Sequence, residues 1–125
     1  MTTPTKADRE NGSRFLPKFD DNGLLTAVIV DHETQQVLMV GFMDQEAIDQ
    51  TLTTKLAHFH SRSRGKLWQK GETSGNVLRV QDILVDCDQD ALVIKCEASG
   101  PTCHTGVTSC MYRRLEDGQL TPIDT

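Results

Sequence analysis

Cys87, Cys103 and Cys110 run through two short motifs, Asp86-Cys87-Asp88-Gln89-Asp90 and Pro101-Thr102-Cys103-His104-Thr105-Gly106-Val107-Thr108-Ser109-Cys110. Together they set soft thiolates beside hard carboxylates, the donor types that one site needs to hold both zinc and magnesium. That pairing points to hydrolysis of a phosphate-bearing substrate. Fifteen residues separate Cys87 from Cys103 and six separate Cys103 from Cys110. Structural zinc favours close Cys-x-x-Cys pairs and four ligands, whereas a catalytic zinc takes three protein ligands and keeps a position open for water. By spacing alone a catalytic zinc, a structural zinc and inert thiols all stay open. Cys96 falls within the apolar run Val93-Ile94-Lys95-Cys96 and reads as a small buried hydrophobe.

Asp86, Asp88 and Asp90 also match part of a calcium loop, with Glu97 at its twelfth position. Ala91 stands where that loop requires glycine, and Ile83-Leu84-Val85 before it reads as a strand rather than an entering helix. If the strand continues, alternate aspartates leave the pleat on one side and converge on one hard cation. Cys87 then faces the other way.

These residues need a scaffold. Leu24 to Val30 and Gln36 to Phe42 are rich in Val, Ile and Leu and flank Asp31-His32-Glu33-Thr34, which predicts a two-stranded hairpin. Asp44 predicts an N-cap for a helix over Gln45 to Leu52, with Ala47, Ile48 and Leu52 on one side. Leu56 to Ser61, Leu67 to Lys70, Val77 to Val85, Ala91 to Glu97 and Met111 to Arg114 are further strand candidates, separated by Gly, Asp or Ser. Strands dominate without a βαβ rhythm, so the expected class is α+β, a small and largely antiparallel sheet with few helices. The expected organisation is a flexible tail over residues 1–18, one domain over residues 19–115 and a C-terminal tail over residues 116–125.

A chain of 125 residues suffices for one domain, and its few aromatics suggest that some apolar surface is covered by another subunit. No signal peptide or membrane-spanning run is present in the sequence, which predicts a cytoplasmic protein whose cysteines stay reduced. A net charge of −5 argues against a nucleic-acid scaffold. Charge is unevenly spread: Phe19 to Thr54 holds seven acids and no Lys or Arg, while Lys55 to Gly71 holds five bases and no acid. A local cationic segment on an acidic protein suits a small anionic ligand.

Four blocks in order, Ser61-Arg62-Ser63-Arg64, Leu67-Trp68-Gln69-Lys70-Gly71-Glu72-Thr73-Ser74-Gly75, Asp86 to Leu92 and Cys103 to Cys110, give the chain a resemblance to the phosphoribosyl-AMP cyclohydrolases of histidine biosynthesis. The resemblance spans about Phe19 to Arg114. It implies an intertwined homodimer with zinc held by Cys87, Cys103 and Cys110, the first shared from the partner subunit, and magnesium at Asp86, Asp88 and Asp90. It also implies hydrolytic opening of the adenine ring of N1-(5-phosphoribosyl)-AMP between C6 and N1, with the pyrophosphohydrolase step left to a separate protein. His60, Leu78 and Val107-Thr108 depart from the family pattern, and none of them is an implied metal ligand.

Three thiolates leave zinc with negative charge and its water less acidic, so a local base is useful. His104 beside Cys103 fits, as an imidazole with an ordinary pKa of roughly 6.5 takes and returns a proton. Arg62, Arg64, Lys66 and Lys70 are candidate phosphate partners, with Ser61, Ser63, Thr73, Ser74 and Gly75 as loop donors. Trp68 is a candidate base-stacking residue, and Glu72 a partner for a substrate hydroxyl or for Lys70. His58 and His60 alternate on one strand face and stay open between ligand and packing roles. A zinc nucleobase deaminase attacks the same carbon, but His-x-Glu and Pro-Cys-x-x-Cys are missing. A non-catalytic zinc module would need a fourth protein ligand.

Overall fold

A computed structural model describes residues 3–123. In chain order the elements are α1 (Lys6–Asn11), β1 (Leu25–Asp31), β2 (Val37–Met43), α2 (Gln45–Thr54), β3 (His58–Ser61), β4 (Lys66–Gln69), β5 (Leu78–Val85), β6 (Ala91–Ala98), β7 (Arg113–Glu116) and β8 (Gln119–Pro122). A four-stranded sheet has the order β2-β1-β6-β5, and β3-β4 and β7-β8 are separate hairpins. Every pairing is antiparallel except β1 with β6, so the class is α+β with a mostly antiparallel sheet, as expected. No described helix is long and apolar enough to cross a membrane.

Alternation builds the sheet. Leu25, Ala27 and Ile29 of β1 are buried on one face, and Leu92, Ile94 and Cys96 of β6 join them. The β1–β2 turn closes because Asp31 Oδ1 accepts the N–H groups of Glu33 and Thr34, each at 2.9 Å. Asp44 Oδ1 caps α2 by accepting the Ala47 N–H at 2.8 Å, and Lys55 ends the helix in the left-handed region at φ 63°. That helix buries Ala47, Ile48 and Thr51 and leaves Leu52 43% exposed, against the expectation that Leu52 faces inward. Phe59 of β3 is buried against the sheet over Gly41, where any Cβ would run into its ring. Truncating a phenylalanine buried this fully costs about 3–5 kcal/mol.

Two stretches expected to be tails carry structure. Thr5 and Asp8 form a reciprocal capping box that starts α1, with N–H to oxygen distances of 2.9 and 3.1 Å. At the other end β8 pairs with β7, and Met111 and Tyr112 stay in the preceding loop, so the strand expected over Met111 to Arg114 begins two residues later.

Candidate active site

Cys103 and Cys110 lie in the loop between β6 and β7, which is closed on itself and tied to the sheet edge. Thr102 N–H donates to Thr108 O and Cys103 N–H to Val107 O, while Gly106 turns the chain at φ 91°. Cys110 N–H donates to Leu38 O at 2.7 Å, and the buried Ser109 hydroxyl donates to Val37 O at 2.5 Å. The loop therefore sits where β1 ends and β2 begins. Thr105 Oγ1 donates to Cys103 Sγ at 3.1 Å. That bond, reinforced by the Cys110 thiol and the Lys70 charge, holds the Cys103 thiol below its ordinary range. Burial and the neighbouring Cys103 push Cys110 the other way. The two neighbouring thiols are thus biased in opposite directions. Cys96 lies in the core, where burial pushes its thiol up to about 12.

The aspartates occupy the turn between β5 and β6. Asp86 Oδ1 accepts the N–H groups of Asp90 at 2.9 Å and Ala91 at 3.1 Å, and Gln89 takes the left-handed conformation at φ 61°. One carboxylate oxygen from each of Asp86, Asp88 and Asp90 lies within 4.8 Å of the others, a donor set suited to a hard divalent cation. Convergence comes from this turn and not from the pleat, since the strand stops at Val85. Sharing hydrogen bonds with Asp86 and Asp88, against their like charge, raises Asp90 to about 6. Burial opposes ionisation of Asp86, but hydrogen bonds from Asp90 and Ala91 outweigh it and hold Asp86 below the usual carboxylate value.

Lys55 to Gly71 is folded mainly as the β3–β4 hairpin, whose two ends lie at opposite ends of the sheet. Arg62 at its tip stacks on the Phe42 ring, 4.0 Å from the centroid. Ser61 Oγ accepts from the Arg64 N–H and Nε at 3.3 and 3.4 Å, and lies 3.4 Å from Ser63 Oγ. At the base, Trp68 packs on Phe59 with centroids 5.6 Å apart, and Lys70 Nζ lies 5.5 Å from the Trp68 ring centroid while its charge acts on both Cys103 and Cys110. Glu72 and Ser74 are exposed on the following turn, where Gly71 at φ 82° has no room for a Cβ beside the Asn76 backbone. His58 is buried with Nδ1 2.8 Å from Leu56 O. His60 Nδ1 comes within 3.2 Å of Asp44 Oδ2, too poorly aligned for a hydrogen bond. His104 is exposed beside Cys103.

Within one chain these groups form two separate clusters. Thr26 pairs with Ala91 and Asp31 with Cys96 along the parallel β1–β6 ladder. The aspartate turn, with exposed Cys87, therefore lies at one end of the sheet, and the Cys103–Cys110 loop lies at the other, five strand residues or about 16 Å away. Arg62 belongs to the aspartate end through Phe42, which pairs with Thr26, and Lys70 belongs to the thiol end. Three residues of the site went unrecognised in the sequence: Thr105, Ser109 and Gln89. For Thr105 and Ser109 the signal was their place inside the cysteine motif.

A family model described as phosphoribosyl-AMP cyclohydrolase matches residues 39–112, which include the three aspartates and all four cysteines. The chain is 52% identical over 125 residues to the phosphoribosyl-AMP cyclohydrolase of Erythrobacter litoralis, covering 100% of both chains. It is 56% identical over 114 residues to that of Sphingopyxis alaskensis, covering 90% of each. The protein of the same name from Methanothermobacter thermautotrophicus is 53% identical over 106 residues, 85% of this chain and 77% of that one.

Proposed function

The chain belongs to the phosphoribosyl-AMP cyclohydrolase family, and from that premise we propose that it hydrolyses the adenine ring of 1-(5-phosphoribosyl)-AMP in histidine biosynthesis. Water adds at C6, the C6–N1 bond breaks, and the product is the phosphoribosylformimino aminoimidazole carboxamide ribotide, with no ammonia lost. The observation that carries this reading is the pairing of a two-thiol loop with a three-carboxylate turn on one small scaffold.

Cys103 and Cys110 suit zinc because one thiol is already biased toward thiolate, and Cys87 of a second subunit supplies the third ligand that the chain cannot bring to its own loop. Asp86, Asp88 and Asp90 suit magnesium, since their mutual repulsion is what a divalent cation relieves. Zinc bound at such a site would bring the pKa of a water molecule toward neutrality. His104 accepts the proton of the attacking water and returns it to the departing nitrogen. Arg62, Ser63 and Arg64 bind phosphate at the hairpin tip, and Lys70 offsets the thiolate charge or contacts substrate. Trp68 offers a stacking edge, with Glu72 and Ser74 as hydroxyl and phosphate partners.

The homodimer is supported by the split cysteine set and by an apolar hollow of about 300 Å³ between α2 and the β5–β6 hairpin. Partly exposed Phe15, Leu52 and Val85 rim that hollow, an apolar surface that a second copy would cover. The enzyme is read as working in the reducing cytoplasm without a nucleic-acid or membrane partner.

Turnover is the test. Purified protein with zinc and magnesium should convert phosphoribosyl-AMP to a ring-opened product without ammonia. Ammonia release would instead reveal a deaminase, and an unchanged substrate would reject the assignment.

A further inference from the structure

Gln89 lies between two of the three aspartates, yet its side chain is bonded to the N-terminal segment. Its Oε1 accepts the Leu16 N–H at 2.7 Å, and its Nε2 donates to Arg9 O at 3.0 Å and Arg14 O at 3.2 Å. Its main-chain oxygen accepts the Lys18 N–H at 2.7 Å. One buried residue thus ties residues 9–18 to the aspartate turn, and its left-handed backbone, closed by its own N–H to Asp86 O at 3.1 Å, keeps the amide aimed at that segment.

The consequence is a cavity of about 390 Å³ lined by Lys6, Arg9, Glu10, Lys18, Cys87 and Asp88. Lys6 and Glu10 offset one another at 3.8 Å. Arg9 donates Nε to Leu16 O at 2.9 Å, and neither its guanidinium nor the Lys18 ammonium has a carboxylate partner among the described residues. Two cations without a carboxylate partner, on a cavity that reaches Asp88, suit a phosphate, and a divalent ion held by the aspartates would add to its attraction.

We propose that residues 9–18 form a wall of the substrate cavity, with Arg9 and Lys18 holding a phosphate of the nucleotide and Gln89 the positioning residue that latches this wall to the aspartate turn. The proposal rests on the reading of Asp86, Asp88 and Asp90 as the divalent-cation site. It goes beyond the family motifs, because the segment lies outside the matched residues 39–112.

The test compares full-length wild type, Arg9→Ala/Lys18→Ala and Gln89→Ala. The double variant should raise KM for phosphoribosyl-AMP about tenfold or more, leave kcat within about twofold, and leave Mn²⁺ affinity, read by electron paramagnetic resonance without substrate, unchanged. Gln89→Ala should raise KM similarly and speed hydrogen exchange at the Leu16 amide about tenfold or more, with Gln89→Glu, which keeps the acceptor and loses both donors, in between. An unchanged KM in the double variant overturns the phosphate subsite, and an unchanged Leu16 exchange rate in Gln89→Ala overturns the latch. If Gln89→Ala fails to fold, the double variant still decides, since it alters partly exposed and exposed side chains. If wild type does not turn over phosphoribosyl-AMP, the function reading fails separately. AMP binding with Mn²⁺ present then decides the wall: loss in the double variant upholds it and equal binding overturns it.

Discussion

The Thr105 hydroxyl donates to Cys103 Sγ at 3.1 Å, which makes Cys103 rather than Cys110 the first thiolate of the pair. Thr105→Val removes that donor while keeping side-chain volume. In zinc-free protein the pH midpoint for alkylation of Cys103 should move upward, because a lowered thiol pKa is what the hydroxyl supplies. Mass-resolved iodoacetamide labelling across pH reads this directly. An unmoved midpoint would assign the bias to Lys70 and the loop backbone instead.

Mixing tests the split cysteine set. Cys87→Ser and Cys103→Ser chains should each lose zinc and activity when alone, and regain part of both when refolded together, since a mixed dimer contains one intact ligand set. Verified mixed dimers that stay inactive and zinc-free would place the whole site within one chain. Cys96→Ala should retain zinc throughout, for its thiol is buried in the core.

His104→Ala should keep bound zinc and lose roughly 10²- to 10⁴-fold in kcat, the usual range for removing a general acid or base. Zinc stoichiometry beside the pH–rate profile is the measurement. A variant with zinc bound and the wild-type profile would remove His104 from proton transfer.

Asp90 carries a pH signature of the cation-free protein. Its carboxyl is raised from 3.8 to about 6 by Asp86 and Asp88, so the folded chain binds more protons than the unfolded chain between those values. Its contribution to stability therefore falls as pH rises through that window and stays unfavourable above it. Asp90→Asn should raise the cation-free Tm at pH 7.5 by about 2–4 °C, a small figure because the group is exposed, with the gap closing toward pH 5. Magnesium should raise the wild-type Tm and leave that of Asp90→Asn nearly unmoved. A variant no more stable than wild type at pH 7.5 would show that the three carboxylates do not strain one another.

Local chemistry was legible where a residue acts on its near neighbours. Asp44 reads as a cap because its carboxylate needs only the next turn, and the β1–β2 hairpin announces itself through Asp31 and two Val/Ile-rich runs. The capping box of α1 escaped because the residue reaching back is Asp8 rather than the usual Glu or Gln, and six residues leave no room for an apolar stripe. Asp86, Asp88 and Asp90 stand out as a set, but alternation alone suggests a pleat where a turn with a left-handed Gln89 brings them together. The distance of Cys87 from Cys103 follows from the strand β6 that runs between them, and the family resemblance already implies a Cys87 that serves a partner; hidden is the parallel pairing of β1 with β6, a long-range choice that no motif spells out. The work of Gln89 lies hidden for the same reason, its partners being more than seventy residues away in sequence.

The distance between the two ends of the β1–β6 ladder also has a cellular meaning. If the third thiolate comes from a second copy, a newly made chain folds before it can work, and catalytic output rises with the square of chain number while copies are scarce. Dilution then abolishes turnover by separating the copies. Under that arrangement a copy that has lost Cys87 silences its partner's thiol loop while its own loop stays complete, so the damage surfaces in the neighbouring chain.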